Sequence, residues 1–385
     1  MITRQFAAAL SEHPNAAVAT GDVVGRVLEG LGDASEPPDL AMVFVTPAHA
    51  SELHEIVATV NATLRPRAML GCAAISVVGG EREVERGPGI SLWAGRTGAV
   101  TAFHLEVAPS PDGLTFTGWP DAIPDDASAL LLIPDPFTFP TDDLLRRMAE
   151  DRPGMPVVGG MASVARAPGG NRLVINDEVV TSGAVGAFLG AGVEVTTVVS
   201  QGCWPVGSPF VVTRAEQNIV YELGGRPAVE RLQEVAAGLS DADRELLASM
   251  VQIGRVIDEH KLDFVPGDFL VRNVVGADPN SGALQVGDIV EVGSTAQFQV
   301  RDATSADQDL RRLISGRPAQ AALVFTCNGR GTHLFPEPHH DAMVVSESLA
   351  GAPVAGMFCA GELGPIGGHN FTHGFTASVV LLSAG

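Results

Sequence analysis

Two short stretches of this 385-residue chain gather residue types able to hold a polar ligand or do chemistry. The first is Cys327-Asn328-Gly329-Arg330-Gly331, which directly follows the apolar run Ala322–Cys327. That places it at the carboxyl end of a buried strand, where α/β sheets hold ligands. Its glycines let backbone N–H groups converge, Arg330 can grip a carboxylate bidentately, and Asn328 offers both a donor and an acceptor. The same residues also suit a tight turn whose arginine pairs with an internal carboxylate. The second stretch combines Gly361-Glu362-Leu363-Gly364-Pro365 with Asn370-Phe371-Thr372-His373-Gly374. Glu362, Asn370 and His373 suit an amino group and a polar ligand, or a satisfied buried network around a Gly-rich turn. Cys327 ends the first strand of a repeat and Glu362 follows its second, so the two are expected to face one pocket.

Further candidates lie elsewhere. Gly71-Cys72 and Gly159-Gly160 sit inside apolar strands, where glycine marks a bulge or close approach of another backbone or ligand. Gln201, in Ser200-Gln201-Gly202-Cys203, stands at a strand end; Arg272 and Arg301 lie within or just past strands, with Arg301-Asp302 suiting a structural ion pair. His333, Glu337, His339, His340 and Asp341 crowd into one segment, but neighbouring histidines point apart and no HExxH-type spacing appears. This segment reads as a solvated loop with Asp341 capping the next helix, and no metal site is predicted. Gly-x-Ser-x-Gly, phosphate-loop and full dinucleotide motifs are absent. Pairing of Cys327 or Cys359 with His373 leaves a thiol-dependent enzyme as an alternative.

Composition narrows the classes. A 45% hydrophobic, 18% charged chain can bury large cores. Its net charge of −21 disfavours nucleic acid and anionic membranes as partners. Lys261 is the only lysine, so Schiff-base and Walker-A chemistry have no suitable residue. The four cysteines are scattered, the N-terminus lacks a signal-peptide core, and no long apolar span occurs. These features point to the cytoplasm.

The elements that must position these residues follow a repeating order. Helices are expected over Thr3–Leu10 and Gly21–Leu31, with a linker at Asp33–Asp39. A strand (Leu40–Val45), helix (48–64), strand (68–74) and strand (Gly89–Gly95) then follow. The order returns at Ala129–Pro134, 142–150, Met155–Ser163 and Gly183–Gly190, and again at Ala322–Cys327, 341–349, Pro353–Glu362 and Thr376–Leu382. Gly71, Gly159 and Gly356 occupy matching places in the second strand of each copy. A different segment separates copies two and three. It is predicted to have helices over 227–239 and 241–257, strands at Phe269–Val275, Ile289–Val292 and Ala296–Val300, a hairpin turn at Asp278–Gly282, and a helix over 306–314. The expected class is α/β (or α+β): duplicated strand-helix-strand-strand units in mixed sheets with packed helices, forming two tightly associated halves.

The stretches LGCAAISVVGGEREVE, PVVGGMAS, VSQGCWPVG, GDFLVRN, VRDA, CNGRG and GELGPIGGHNFTHGFTAS resemble successive blocks of the FIST family. The resemblance implies an N-terminal helical segment at 1–36, a FIST N-like domain at 37–220 and a FIST C-like domain at 221–385. It implies a sensory module that binds a small, amino-acid-like ligand, and the strand-end reading above assigns that ligand to Cys327, Asn328, Gly329, Arg330, Glu362, Gly364, Asn370 and His373. Because every block belongs to that module, the signal is expected to pass to a separate partner protein. Trp204 departs from the pattern, standing where a basic or polar residue is expected. Relatives of this type include haem-binding nitric oxide sensors and an F-box protein. A haem-based gas sensor and a protein-interaction scaffold are therefore further alternatives, although no haem motif is present.

Overall fold

A computed structural model describes residues 5–32, 36–110, 113–261 and 263–384. The chain forms two compact units, residues 1–199 with 310–385, and residues 200–309. The first repeat region contains β1 (Phe6–Ser11), α1 (Ala16–Leu31), β2 (Leu40–Val45), α2 (Leu53–Leu64), β3 (Ala68–Ala73), β4 (Val77–Gly79), β5 (Arg82–Val84) and β6 (Ile90–Gly95). The second contains β7 (Val100–Ser110), β8 (Gly113–Thr117), β9 (Ala129–Pro134), α3 (Thr141–Asp151), β10 (Val157–Gly160), β11 (Leu173–Ile175), β12 (Glu178–Val180) and β13 (Ala184–Leu189).

After β14 (Val193–Ser200) the chain enters the other unit. This holds β15 (Cys203–Pro205), β16 (Phe210–Glu216), β17 (Ile219–Leu223), β18 (Arg226–Pro227), α4 (Ala228–Gly238), α5 (Asp241–Ser249), β19 (Gln252–Val256), β20 (Phe269–Asp278), β21 (Ala283–Val286) and β22 (Thr295–Arg301). Helix α6 (Ala303–Ile314) leads back to β23 (Ala321–Cys327), α7 (His340–Ser348), β24 (Val354–Cys359), β25 (Glu362–Ile366), β26 (His369–His373) and β27 (Ala377–Ala384).

The three repeats share one topology. In each, two strands run parallel around a helix (β2–β3, β9–β10, β23–β24), and a third lies antiparallel beside the first (β6, β13, β27). Gly71, Gly159 and Gly356 face Val43, Leu132 and Val324, one position in three copies. A Cβ added at these glycines would fall 1.9, 2.0 and 1.9 Å from the carbonyl oxygen of the facing residue, so only glycine fits.

Each sheet is completed by a hairpin from another repeat. The β4–β5 hairpin of the first pairs with β24 of the third, β25–β26 of the third with β10 of the second, and β11–β12 of the second with β3 of the first. These exchanges also coincide in register: Val78, Leu363 and Val174 lie opposite the three glycines. Strand alternation then divides the core. Leu40, Met42, Phe44, Leu131, Ile133, Leu323 and Phe325 enter a cluster shared by all three sheets, while Ala41, Val43 and Val45 turn outward beneath α1 and α2. In the other unit β16, β17, β21, β20, β19 and β22 pair in a closed ring, which leaves this barrel no free edge.

Three local expectations need correction. Phe6–Ser11 is a strand paired with β6, not a helix, because the β6 edge offers a backbone partner that outweighs the helix propensity of its alanines. Residues Thr3 and Arg4, and part of the expected linker at Asp33–Asp39, lie outside the described residues. Helix α5 stops at Ser249, since Gln252–Val256 closes the barrel between β20 and β22. Ile289–Val292 is a loop rather than a strand, with Ile289 66% and Val292 61% exposed.

If the shared glycine position is sterically fixed, Gly71→Ala, Gly159→Ala and Gly356→Ala should each destabilise the protein in urea unfolding, by about 1–3 kcal/mol. Gly25→Ala, on α1 where an added Cβ meets nothing within 4 Å, should be neutral or stabilising, by at most about 1 kcal/mol.

Candidate functional site

The carboxyl ends of the three leading strands are equivalent in fold and unequal in chemistry. In the first repeat Thr46 donates to the Gly87 carbonyl at 2.9 Å. In the second, buried Asp135 accepts from Thr138 at 2.5 Å and from Asn171 at 2.6 Å. The third gathers an ion pair, two further acids and a thiol.

Parallel pairing of β23 with β24 sets Cys327 opposite Cys359, and the chain turns at once: the Asn328 N–H bonds the Cys359 carbonyl and the Arg330 N–H the Cys327 carbonyl, at 3.0 and 2.9 Å. Gly329 lies so close to Phe375 that a Cβ would be 2.5 Å from its ring. The turn buries Arg330 completely. Its Nε and Nη2 donate to the two carboxylate oxygens of Asp341, both at 2.8 Å, and its guanidinium lies 5.2 Å from the Phe335 ring centroid. Thr326 Oγ1 donates to Asp341 at 2.6 Å, and His340 Nδ1 lies 2.9 Å from it. His340 itself stacks on Phe335 with centroids 3.5 Å apart.

Two more carboxyl groups border the pair. Glu362, wholly buried and opposite His373 in the β25–β26 register, accepts from Thr376 N–H at 3.0 Å and Oγ1 at 2.8 Å. Glu83 comes from the donated hairpin; its Oε1 accepts from the Ala342 N–H at 3.0 Å, in the first turn of α7, and its N–H donates to His339 Nδ1 at 3.1 Å. Next to it, Glu85 holds Thr332 through the backbone N–H at 3.0 Å and the hydroxyl at 2.7 Å. Arg330 Nη1, Asn328 Oδ1 and Glu83 Oε2 are buried without hydrogen-bond partners, and Glu362 interacts with the Cys327 thiol. Glu83 and Glu85 also line a solvent-open cleft of about 370 Å³ with Glu12, Arg86, Thr332 and His339.

Electrostatics separate the acids. Burial alone would raise the Asp341 carboxyl, but the Arg330 charge and hydrogen bonds hold it well below the usual carboxylate range. Glu362 is pushed up to about 8 by burial, only partly offset by its bonds from Thr376. Glu83 is pushed up to about 8 by burial and then by the neighbouring Asp341 charge. Burial and adjacent Glu362 push the Cys327 thiol up to about 12, and burial raises Cys359 well above its usual value. Neither thiol supplies a thiolate near neutral pH. His373 Nε2 lies 3.0 Å from the Gly364 carbonyl.

The remaining predicted positions disperse. Asn370 fastens the start of β10 by bonds with Val157 N–H and the Met155 carbonyl. Gly364 lies against Val199 and Ser378, while Cys72 and Cys359 are in the shared core and Gly160 abuts Cys359. In the barrel unit, Gln201 brackets β20 through the Phe269 carbonyl and Val271 N–H, Arg272 pairs with Asp288, and Arg301 donates to the Gln201 carbonyl. Asp302 accepts from the Ser305 N–H at the start of α6. Asp341, expected to cap the helix from a solvated loop, is instead a buried partner of Arg330 within the first turn of α7, and the loop before it is solvated only as far as Pro338. Glu83 and Glu85 escaped notice because they reach the third repeat only by hairpin exchange.

The histidines beside the ion pair do not suit haem: His340 is stacked and bonded to Asp341, His339 Nδ1 takes the Glu83 N–H, and the cleft holding His339 is lined by Glu12, Glu83, Glu85 and Arg86 rather than by apolar walls. Among the described residues no three His, Cys, Asp or Glu side chains gather to hold a metal ion, and no helix is long and apolar enough to cross a membrane.

Residues 39–226 match the model of the FIST N domain and residues 228–365 that of the FIST C domain. An uncharacterized protein of Mycobacterium tuberculosis is 41% identical over 379 residues, covering 97% of this chain and 98% of its own. An uncharacterized protein of Mycobacterium bovis is 42% identical over 375 residues, 96% of each chain.

Arg330→Met should strand Asp341 and destabilise by about 3–5 kcal/mol in urea unfolding, whereas Arg330→Met with Asp341→Leu should recover most of that loss. Glu83 and Glu362 have folded values near 8 against an ordinary 4.5, so the folded chain retains protons that the unfolded chain releases. Their contribution is whole below about 4.5 and lost as pH rises through 8. Stability should therefore fall across that interval, and Glu362→Gln should flatten the slope.

Proposed function

The chain belongs to the FIST family of sensory domains, and from that premise we propose that its third repeat binds a small, amino-acid-like ligand and reports occupancy to a separate protein. The reading rests chiefly on Glu83. It is 3% exposed and lacks a partner for one carboxyl oxygen, yet it lines a solvent-open cleft while touching the first turn of α7. An ammonium group is the natural partner for such an oxygen, with Glu85 and Glu12 beside it. Exposed Arg86 suits a carboxylate at the other end of the ligand.

In this reading Arg330, Asn328, Glu362 and His373 shape the response without touching the ligand. Arg330 fixes the Asp341 charge, and Asp341 helps to keep Glu83 protonated in the empty state. An arriving cation favours ionised Glu83, releases its proton and strengthens the acceptor at the α7 N-terminus. The displaced elements are the β4–β5 hairpin and the start of α7, which supply the signal. The thiol-enzyme reading is weaker because Cys327 and Cys359 are held in the neutral form.

A thermal-shift screen of the full chain against amino acids and small amines tests the proposal. A ligand at a hundredfold excess over Kd should stabilise the protein by about 2.7 kcal/mol. The expected hit carries an ammonium group, loses at least tenfold affinity in Glu83→Gln, and releases protons when titrated calorimetrically near pH 7 in buffers of different ionisation heat. A silent panel, or a hit indifferent to Glu83→Gln and Glu85→Gln, would overturn it.

A further inference from the structure

Strand β1 ends its sheet. Strand β6 pairs with it along Phe6–Ser11, and among the described residues no strand pairs with its other side. Alternate residues of an antiparallel strand turn their N–H and C=O groups away from the partner, so this side presents open backbone donors and acceptors. In the second repeat the strand at the same place, β7, is covered by β8. The β1 sequence, Phe-Ala-Ala-Ala-Leu-Ser, carries no charge, proline or bulge, the devices that ordinarily blunt an exposed edge.

The open edge is recessed. Residues Phe6–Ser11 line a cleft of about 830 Å³ whose other walls include the Gly79-Gly80 turn of the β4–β5 hairpin and the Gly351–Pro353 turn after α7. A Cβ placed on Gly80 or Gly351 meets nothing within 4 Å, so the turns are open at these two positions, while Gly79 packs against Leu10 of β1. Beyond Phe6 a second hollow of about 430 Å³, lined by Gln5, Gln320 and the same Gly351–Pro353 turn, extends the space. At the rim Asp22 pairs with Arg26 and Glu12 with Arg82, leaving the Glu81 charge in excess on a chain of net charge −21.

We propose that this cleft docks an extended, basic peptide segment of another protein, which adds to the sheet as a strand beside β1. Main-chain bonds to the open edge supply affinity, and small or alternate side chains pass the glycine turns. Six residues of strand span about 20 Å, the length of β1. A second copy would bring the same excess acid, on a chain of net charge −21, against this rim, which disfavours it as occupant. The excess acid at the rim selects basic side chains. This cleft adjoins the ligand cleft proposed above, sharing Glu12 and the β4–β5 hairpin with it, but strand addition at β1 does not require that ligand.

The test is selection of a displayed library of random nine-residue peptides on the full chain, followed by hydrogen exchange with each enriched peptide. Enriched peptides should be rich in Arg or Lys and protect Phe6–Ser11. Methylation of alternate peptide nitrogens should weaken binding at least tenfold. Gly80→Asn, which a left-handed residue tolerates and which intrudes on the cleft, should do the same without changing Tm. The proposal is overturned if no peptide is enriched, if bound peptides leave β1 unprotected or are indifferent to N-methylation, or if β1 protection instead accompanies self-association of the chain.

Discussion

A fully buried arginine–aspartate pair organises the distinctive end of this protein. Arg330 and Asp341 are both wholly excluded from water, and neither charge is tolerable there without the other. The arrangement around them follows from that constraint. Thr326 and His340 occupy the remaining capacity of Asp341, Phe335 packs beside the guanidinium, and the short turn after β23 brings Arg330 back beneath α7. Burial beside this pair keeps Glu83 and Glu362 protonated well above their ordinary range, reinforced at Glu83 by the Asp341 charge. One of them lines a cleft and touches a helix start, which links a change of charge there to a change in structure.

The fold concentrates this chemistry in one repeat while making all three repeats interdependent. A hairpin from each repeat completes the sheet of another, at the same register in every case. Glu83 and Glu85 thus reach the third repeat although they lie more than 240 residues away in sequence from the groups they hold. Even strand ends with equivalent backbones carry different polar sets, a hydroxyl in the first, a hydrogen-bonded acid in the second and the ion-pair cluster in the third.

Much of this organisation was legible in the sequence because it rests on backbone sterics and apolar periodicity. The strands starting at Leu40, Ala129 and Ala321 are continuous apolar runs, and Gly71, Gly159 and Gly356 mark one tight approach in each copy. Cys327, Arg330 and Glu362 were legible as neighbours, since consecutive strand ends of one repeat must converge. Asp341 was misread because its sequence neighbours are polar and solvated, while its burial is imposed by Arg330. Glu83 was invisible because nothing local in Arg82–Glu85 reports a hairpin exchange. Phe6–Ser11 misled for a related reason: alanine-rich sequence favours a helix until a sheet edge is available.

The third repeat thus holds one charged ion pair beside two neutral acids. Infrared spectroscopy of carboxyl stretching at pH 7 measures this directly, with Glu83→Gln and Glu362→Gln identifying the bands and Asp341→Asn as the control. Protonated-carboxyl absorption should be present and each glutamine substitution should diminish it, with Asp341 contributing only to the ionised band. Absence of protonated carboxyl at pH 7, or its persistence undiminished in both Glu83→Gln and Glu362→Gln, would contradict this.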